Sequence, residues 1–273
     1  MLDKKPLKGS ISETLKKVGK KNQSMKPSTT KYTCEICGNK LTYDDWVNSD
    51  GKCCLKCVPE RDRRRREKWK TYLKNNMEKE LRKRNVPPKY LKCSFDNFIA
   101  STQKSMQLKA KIEKYAQKVE SSLFITGGCG SGKTHLATAC LRETLNQGIK
   151  QSFYIKVPEL LMEIRHTFDR ENTNKENEQY FIERFSHYNF LILDDMGAEK
   201  VSEYSIQVLY LLVDKRDSFL KPTMICSNLS IAGLEDMLSP RITSRIVGMG
   251  RVIKNPMPDY RMRGKNELLG HIE

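Results

Sequence analysis

Long apolar stretches are missing from this 273-residue sequence. No run of 18 or more apolar residues occurs, so we expect no membrane-spanning helix. The first thirty residues are rich in lysine and serine and lack the apolar core of a signal peptide, and we therefore expect a cytoplasmic protein. Histidine is scarce, and its four scattered residues are poor candidates for metal ligands.

Negative charge is also in short supply, because 33 acidic residues face 50 lysines and arginines and leave a net charge of +17. A balance this basic favours a polyanionic partner, most simply nucleic acid. Residues 1–31 are polar and lysine-rich, and we predict a disordered arm there. Residues 61–88 carry the densest positive charge and predict a basic helical linker. This helix either presents a solvated face or contacts phosphates, and phosphate contacts would make binding steeply salt-dependent.

Nine cysteines are many for a chain expected in a reducing compartment, where disulfides are rare. Two C-x-x-C pairs separated by sixteen residues have the spacing of a zinc site. The predicted Zn²⁺ ligands are Cys34, Cys37, Cys54 and Cys57. An alternative set replaces Cys54 with its neighbour Cys53. A module as short as residues 32–60 cannot build a core, so the metal would supply its stability.

From residue 89 onward, short apolar runs alternate with segments of helical periodicity. We predict strands at residues 123–126, 152–157, 190–193, 223–226 and 251–253, with helices between them. Apolar strands that alternate with helices indicate an α/β fold with a parallel sheet flanked by helices.

A glycine-rich stretch that reads G-x-x-x-x-G-K-T lies between a predicted strand and a predicted helix. Glycines let the backbone curl closely around an anion, and the N–H groups of the loop and of the helix start then point at phosphates. Lys133 would contact the β- and γ-phosphates, and the Thr134 hydroxyl would bind Mg²⁺. The predicted nucleotide contacts are Gly127, Gly128, Cys129, Gly130, Ser131, Gly132, Lys133, Thr134 and His135.

Two carboxylates follow an apolar strand sixty residues after this loop. Asp194 is predicted to hold Mg²⁺ through water, and Asp195 to orient the water that attacks ATP. Asn228 follows the next predicted strand, where its amide can bind the γ-phosphate or that water. The apolar residues Phe95, Phe98 and Ile99 are expected near the base.

Two arginines, Arg241 and Arg245, lie one helical turn apart in the predicted C-terminal part of the fold. An arginine that reaches into a neighbouring subunit's nucleotide site contributes a rate factor of roughly 10³–10⁵. The alternative for either residue is a surface salt bridge.

Taken in order, these motifs resemble the DnaC/IstB branch of the AAA+ ATPases, which contains helicase loaders and the helper ATPases of some transposons. The matching segments are 93–98, 127–137, 191–199, 221–230 and 241–246. The resemblance implies an AAA+ ATPase domain over residues 89–273 with a reduced or absent helical lid. It also implies Asn228 as sensor 1, Arg245 as the arginine finger with Arg241 as the alternative, and a C-terminal arginine segment with Arg261 and Arg263. Asp195 departs from the glutamate usual in AAA+ proteins, which bears on the rate of hydrolysis.

Three functions fit this sequence. In the first, the protein is an ATP-dependent loader that docks a hexameric replicative DNA helicase through its N-terminal region, binds single-stranded DNA and self-associates through the ATP site. In the second, it is a transposition helper ATPase that assembles on duplex DNA. In the third, it is a zinc-containing DNA-binding adaptor that holds ATP and barely hydrolyses it.

Overall fold

The computed structural model describes residues 33–41, 45, 53–165, 178–198 and 202–262. The predicted arm at 1–31 and the predicted family residue Arg263 lie outside the described residues. The chain divides into two units, Met1–Lys68 and Trp69–Glu273, and the boundary falls inside the stretch predicted as the linker.

Unit 1 contains a tight turn that carries the first C-x-x-C pair. The amide of Cys34 donates to the carbonyl of Asn39 at 2.8 Å, and the amide of Gly38 donates to the carbonyl of Cys34 at 2.9 Å. Gly38 has φ +73°, a conformation that glycine adopts without steric cost. The second pair is followed by helix α1 (Val58–Arg82), which begins in unit 1 and ends in unit 2.

The second half of α1 is not the fully solvated helix expected from its charge. Leu73 and Leu81 are buried in the core of unit 2, and Trp69 and Met77 pack against the same core. Their four-residue spacing puts these side chains on one face of the helix. The indole Nε1 of Trp69 also donates to the carbonyl of Leu145 at 2.6 Å, which fixes this part of α1 on the domain.

Among the described residues, unit 2 is built on one sheet of five parallel strands in the order β2-β3-β4-β1-β5. The strands are β1 (Ser122–Thr126), β2 (Ser152–Lys156), β3 (Phe190–Met196), β4 (Thr223–Ser227) and β5 (Gly250–Lys254). The predicted parallel α/β fold is thereby confirmed. The third strand extends three residues beyond its predicted end, through both carboxylates.

Helices flank this sheet. They are α2 (Gln103–Gln117), α3 (Lys133–Asn146), α4 (Val157–Arg165), α5 (Glu178–His187), α6 (Glu203–Ser218), α7 (Ile231–Met237) and α8 (Pro240–Gly248). Serine and threonine side chains cap several of them: Thr102 and Ser105 form a reciprocal capping box on α2, and Ser202 accepts from the amide of Ser205 on α6. Among the described helices, none combines the length and the apolarity that crossing a bilayer requires.

Period-two alternation along the strands divides the core between the two faces of the sheet. In β1, Leu123 and Ile125 face the cluster formed with α1, α2 and α3, whereas Phe124 faces the cluster formed with α4, α5, α6 and α8. Both faces are covered, as expected for a parallel sheet whose strands are apolar throughout. This packing holds the carboxyl ends of the strands rigidly at one edge.

Candidate nucleotide site

A cavity of about 360 Å³ opens at the carboxyl edge of the sheet. The loop after β1, the end of β3 and the residue after β4 all line it, because parallel strands end at the same edge. The opposite wall comes from residues that precede α2 and residues that follow β5. The cavity thus brings together residues from sequence positions that are far apart.

Lys133 lies at the floor of this cavity, at the first position of α3. Its Nζ donates to the carbonyls of Gly127 and Gly128, both at 2.8 Å, and to Oδ1 of Asn228 at 2.6 Å. Burial lowers the pKa of Lys133 from its ordinary value. Gly132, just before it, has φ +87°, and a Cβ there would lie 2.8 Å from the ring of Phe98. Only glycine therefore lets the loop enter α3 this closely.

Asp194 is fully buried beside the start of α3. Its Oδ2 accepts the hydroxyl of Thr134 at 2.7 Å and the hydroxyl of Tyr154 at 2.7 Å. Its Oδ1 has no hydrogen-bond partner among the described residues. Burial raises the pKa of Asp194, and the negative charge of Asp195 raises it further, while the bonds from Tyr154 and Thr134 oppose the shift. An orphaned carboxylate oxygen beside a hydroxyl is a donor set that suits Mg²⁺.

Asp195 turns towards the cavity and lines it. Its φ of +55° coincides with a shift in the register of β3 against β4 between Leu193 and Met196. A positive φ is uncommon for a residue with a side chain, and aspartate is among the side chains that tolerate it best. Its Oδ2 lies 3.1 Å from Nζ of Lys156, at the end of the neighbouring strand β2.

Aromatic and apolar side chains form the wall opposite the loop. Phe98, Ile99 and Tyr90 line the cavity there, whereas Phe95 is buried in the core behind it. The ring of His135 meets Phe98 edge-on at 5.2 Å, and its Nε2 lies 2.9 Å from the carbonyl of Ser94. Burial lowers the pKa of His135. An apolar slot of this kind suits a flat heterocyclic base.

Three hydrogen bonds attach the segment that follows β5 to its neighbours, one to the end of β1 and two to the glycine loop. The amide of Asn255 donates to the carbonyl of Thr126 at 2.6 Å, and its Nδ2 donates to the carbonyl of Ser131 at 2.9 Å. The amide of Tyr260 donates to the carbonyl of Gly130 at 3.0 Å. Tyr260 and Arg261 line the cavity, so this segment completes its wall.

Arg245 lies outside the cavity of its own chain. It is held on α6 by Asp214 at 2.6 Å, by Asp217 at 3.4 Å and by the hydroxyl of Tyr210 at 3.3 Å. Arg241 is exposed one turn earlier on α8. Both positions are compatible with an arginine that acts on another subunit, and Arg245 also satisfies the salt-bridge alternative.

Four cysteine sulfurs converge in unit 1. The Sγ atoms of Cys34, Cys37, Cys54 and Cys57 all lie within 4.8 Å of one another. Cys53 is fully buried and packs in a small apolar cluster with Leu41. Four thiols at this spacing fit a tetrahedral Zn²⁺ site, and the geometry favours Cys54 over Cys53 as the fourth ligand.

Comparison with known sequences identifies the family. Residues 60–267 match the family of IstB-like ATP binding proteins. This chain belongs to that family. The matched residues include every strand of the sheet and the whole cavity, and they begin after the four clustered cysteines.

Relatives and solved structures agree with this assignment. The replicative helicase loader DnaC of Escherichia coli strain K12 is 25% identical over 173 residues, which are 62% of this chain and 69% of DnaC. The crystal structure of the DnaC helicase loader covers 62% of this chain and 99% of its own, with a TM-score of 0.55 at 22% identity. DnaI covers 64% of this chain and 93% of its own, with a TM-score of 0.53 at 23% identity. At these identities the structural likeness shows the fold alone. The family match and the DnaC relatives support the predicted DnaC/IstB branch of the AAA+ ATPases.

Within this IstB-like domain, six of the nine predicted nucleotide contacts line the cavity, from Gly130 to His135. Gly127 and Gly128 instead offer carbonyls to Lys133, and Cys129 is exposed outside the lining. Among the other predicted residues, Asp194, Asp195 and Asn228 surround Lys133 and Thr134, whereas Arg245 is remote from them.

Two polar residues of β2 are missing from the sequence-based prediction. Tyr154 binds Asp194, and Lys156 pairs with Asp195. The signal available was a tyrosine and a lysine two residues apart in an apolar strand, on the same face. The pairing of β2 with β3 places these two residues beside Asp194 and Asp195, and this pairing cannot be read from a single sequence.

Proposed function

We propose that this member of the IstB-like family is an ATP-dependent loader of a replicative DNA helicase that acts in the cytoplasm. The observation that carries the proposal is the similarity to the loader DnaC over 62% of the chain. The family match alone leaves a transposition helper open, and the loader relatives favour the first function over the second.

Binding of ATP rests on the cavity. Backbone amides of Gly130 to Thr134 and the start of α3 would face the phosphates, and Lys133 would exchange its carbonyl contacts for phosphate oxygens. Thr134 and the orphaned oxygen of Asp194 would hold Mg²⁺, the latter through water, and the metal would neutralise phosphate charge. Phe98 and Ile99 would enclose the base.

Hydrolysis is assigned to the groups at the open end of β3. Asp195 would orient and polarise the attacking water, and Asn228 would bind that water or the γ-phosphate. The ion pair with Lys156 holds the Asp195 carboxylate in place, and water activation would require that pair to loosen. Lys156 is therefore assigned a positioning role.

Self-association would bring an arginine from a second copy to the cavity. Arg245 is the first candidate, because it is partly exposed on α8 and its partners Asp214 and Asp217 are only half-buried. Release from these carboxylates would free its guanidinium for the neighbour's γ-phosphate. Arg241 is the alternative.

The N-terminal region is assigned to helicase docking. Cys34, Cys37, Cys54 and Cys57 would hold Zn²⁺ within the module of residues 32–60. The arm at 1–31 and the linker at 61–88 flank this module ahead of the domain at 89–273, and the basic linker would contact nucleic-acid phosphates. Single-stranded DNA is the proposed nucleic-acid partner, in keeping with the net charge of +17.

The test is helicase loading in solution. The full chain, ATP and the hexameric replicative helicase of the same organism are mixed with closed circular single-stranded DNA, and helicase retained on the DNA is measured by gel filtration. We expect retention to require both this protein and ATP, and Lys133→Ala to abolish it. Lys221→Ala, an exchange of a lysine remote from the cavity, is the matched control and should load normally. Absence of any complex with the helicase would refute the loader proposal.

The other two functions predict different outcomes. ATP-dependent filaments on duplex DNA in electron micrographs, without helicase retention, would favour a transposition helper. If DNA leaves ATP turnover at background and Asp195→Asn changes nothing, the protein is a DNA-binding adaptor that does not use hydrolysis.

A further inference from the structure

An aromatic pair lies on α1, away from the nucleotide cavity. The rings of Trp69 and Tyr72 stack with centroids 5.4 Å apart and planes 24° from parallel. The indole of Trp69 is held by its hydrogen bond to the carbonyl of Leu145, and the hydroxyl of Tyr72 donates to Oε1 of Glu80 at 3.0 Å. Tyr72 remains 37% exposed. The pair is therefore a rigid aromatic platform with one ring presented to solvent.

Three lysines surround this pair. Nζ of Lys150 lies 4.4 Å from the centroid of the Trp69 ring. Nζ of Lys83 lies 2.7 Å from the same Glu80 oxygen that accepts the Tyr72 hydroxyl. Lys79 is exposed and follows Tyr72 by seven residues, which is about two turns, so the two share a face about 10 Å apart along the helix. We call Trp69, Tyr72, Lys79, Lys83 and Lys150 the Tyr72 platform.

Acidic charge cancels these lysines only in part, because the single carboxylate of Glu80 is shared between Lys83 and Arg84, both at 2.7 Å, and one positive charge of that pair is left over. Glu80 is buried and its carboxylate is already engaged by Tyr72, Lys83 and Arg84. Glu78 is exposed, but it follows Tyr72 by six residues and therefore lies about 120° around the helix. The platform consequently presents an aromatic ring flanked by positive charge, which matches the ring faces and phosphates of a nucleic-acid strand.

The choice between single and double strands follows from the exposed ring. A base can stack on Tyr72 only if its face is accessible, and in a duplex both faces are covered by neighbouring bases. We propose that the Tyr72 platform binds single-stranded nucleic acid, with one base stacked on Tyr72 and the adjacent phosphates held by Lys79, Lys83 and Lys150. This inference depends on the proposed function in one respect, which is that single-stranded DNA is the ligand.

The experiment measures the affinity of the full chain for fluorescein-labelled oligo(dT) by anisotropy, over a range of salt concentrations. Tyr72→Leu should weaken binding by about 5- to 150-fold, the effect of losing one stacked base. Tyr72→Phe retains the ring and should bind within about twofold of the parent. For a blunt duplex of equal length, Tyr72→Leu should leave the affinity unchanged.

A matched pair of lysine variants tests the phosphate contacts. Lys79→Gln should lower the affinity and reduce the slope of log K against log salt by about 0.7, the value for one phosphate contact on a single strand. Lys74→Gln removes the same charge about 200° around the helix from Tyr72 and should leave the slope unchanged. Thermal unfolding and ATP binding of all variants check that the fold and the cavity are intact.

Two results would overturn the proposal. One is a Tyr72→Leu variant that binds oligo(dT) as tightly as the parent does. If that variant also fails to bind the helicase, the platform is a docking surface for protein. The other is an equal loss for Lys74→Gln and Lys79→Gln. Failure of helicase loading with the Tyr72 effect intact would instead refute the loader function and leave this surface as a nucleic-acid site.

Discussion

Replacing Asp194 with asparagine should stabilise the protein while destroying its use of Mg²⁺. Asp194 is fully buried, and burial together with the charge of Asp195 raises its pKa. An acid whose pKa is raised by folding disfavours the fold wherever it is ionised. Ionisation of Asp194 therefore costs the folded state nothing below the unfolded pKa of about 3.9. The free energy of unfolding falls as the pH rises from there through the folded pKa of Asp194.

The size of the effect follows from opposing terms. Burying a carboxylate costs several kcal/mol, and the bonds from Thr134 and Tyr154 each offset about 1.5–3 kcal/mol of that cost. Asparagine is nearly isosteric, carries no charge and can accept the same two bonds through Oδ1. We expect a gain of about 1–3 kcal/mol at pH 8, or about 2–12 °C in melting temperature for a domain of this size.

The assay is thermal unfolding of the nucleotide-free full chain at a series of pH values from about 4, near the pKa of an unfolded aspartate, up to about 8. The gain should appear only as the pH rises, and Asp236→Asn, the same exchange at an exposed site on α7, should change little at any pH. Calorimetry should show that Asp194→Asn loses the Mg²⁺ dependence of ATP binding. A lower melting temperature than the parent at pH 8, or a gain independent of pH, would refute this account of the electrostatics.

Three further predictions concern other parts of the chain. Gly130→Ala should destabilise the loop by about 1–2 kcal/mol and weaken ATP binding in calorimetry, because φ is +66° there and a Cβ would collide with the Asp259 carboxylate. Arg216→Met should lower the free energy of unfolding by about 3–5 kcal/mol in urea titration, because this fully buried guanidinium binds five backbone carbonyls. Elemental analysis should find about one zinc per chain, lost in Cys34→Ser and retained in Cys53→Ser.

Each of these predictions has a contradicting outcome. If Gly130→Ala matches the parent in stability and ATP affinity, the loop and the segment after β5 can move apart at little cost in free energy. A loss below about 1 kcal/mol for Arg216→Met would mean that water replaces the guanidinium. Loss of zinc in Cys53→Ser, with zinc retained in Cys54→Ser, would favour the alternative ligand set that contains Cys53.

Most of the fold could be predicted from local sequence patterns. The strands are short apolar runs, and the glycine loop needs only its own residues and the helix after it, so both are readable without tertiary information. The ion pair of Lys156 with Asp195 is not, because it depends on which strand lies beside β3. The same holds for Asn255, whose contact with the loop joins residues more than a hundred positions apart.

Charge density hid one feature that the sequence did contain. Leu73, Met77 and Leu81 recur every four residues within the basic linker, which is the spacing of a buried helical stripe. The surrounding lysines and arginines favoured a solvated helix instead. The domain boundaries proposed at 31/32, 60/61 and 88/89 remain predictions.

The two hydrogen bonds by which Asn255 and Tyr260 reach the glycine loop have a mechanical consequence. A loop that shifts to admit phosphates must carry Asn255 and Tyr260 with it or break those bonds. Movement of the loop would therefore be passed to residues 255–262, where Tyr260 and Met262 are exposed to solvent. A partner bound to these exposed residues would respond to what the loop holds without contacting the loop itself.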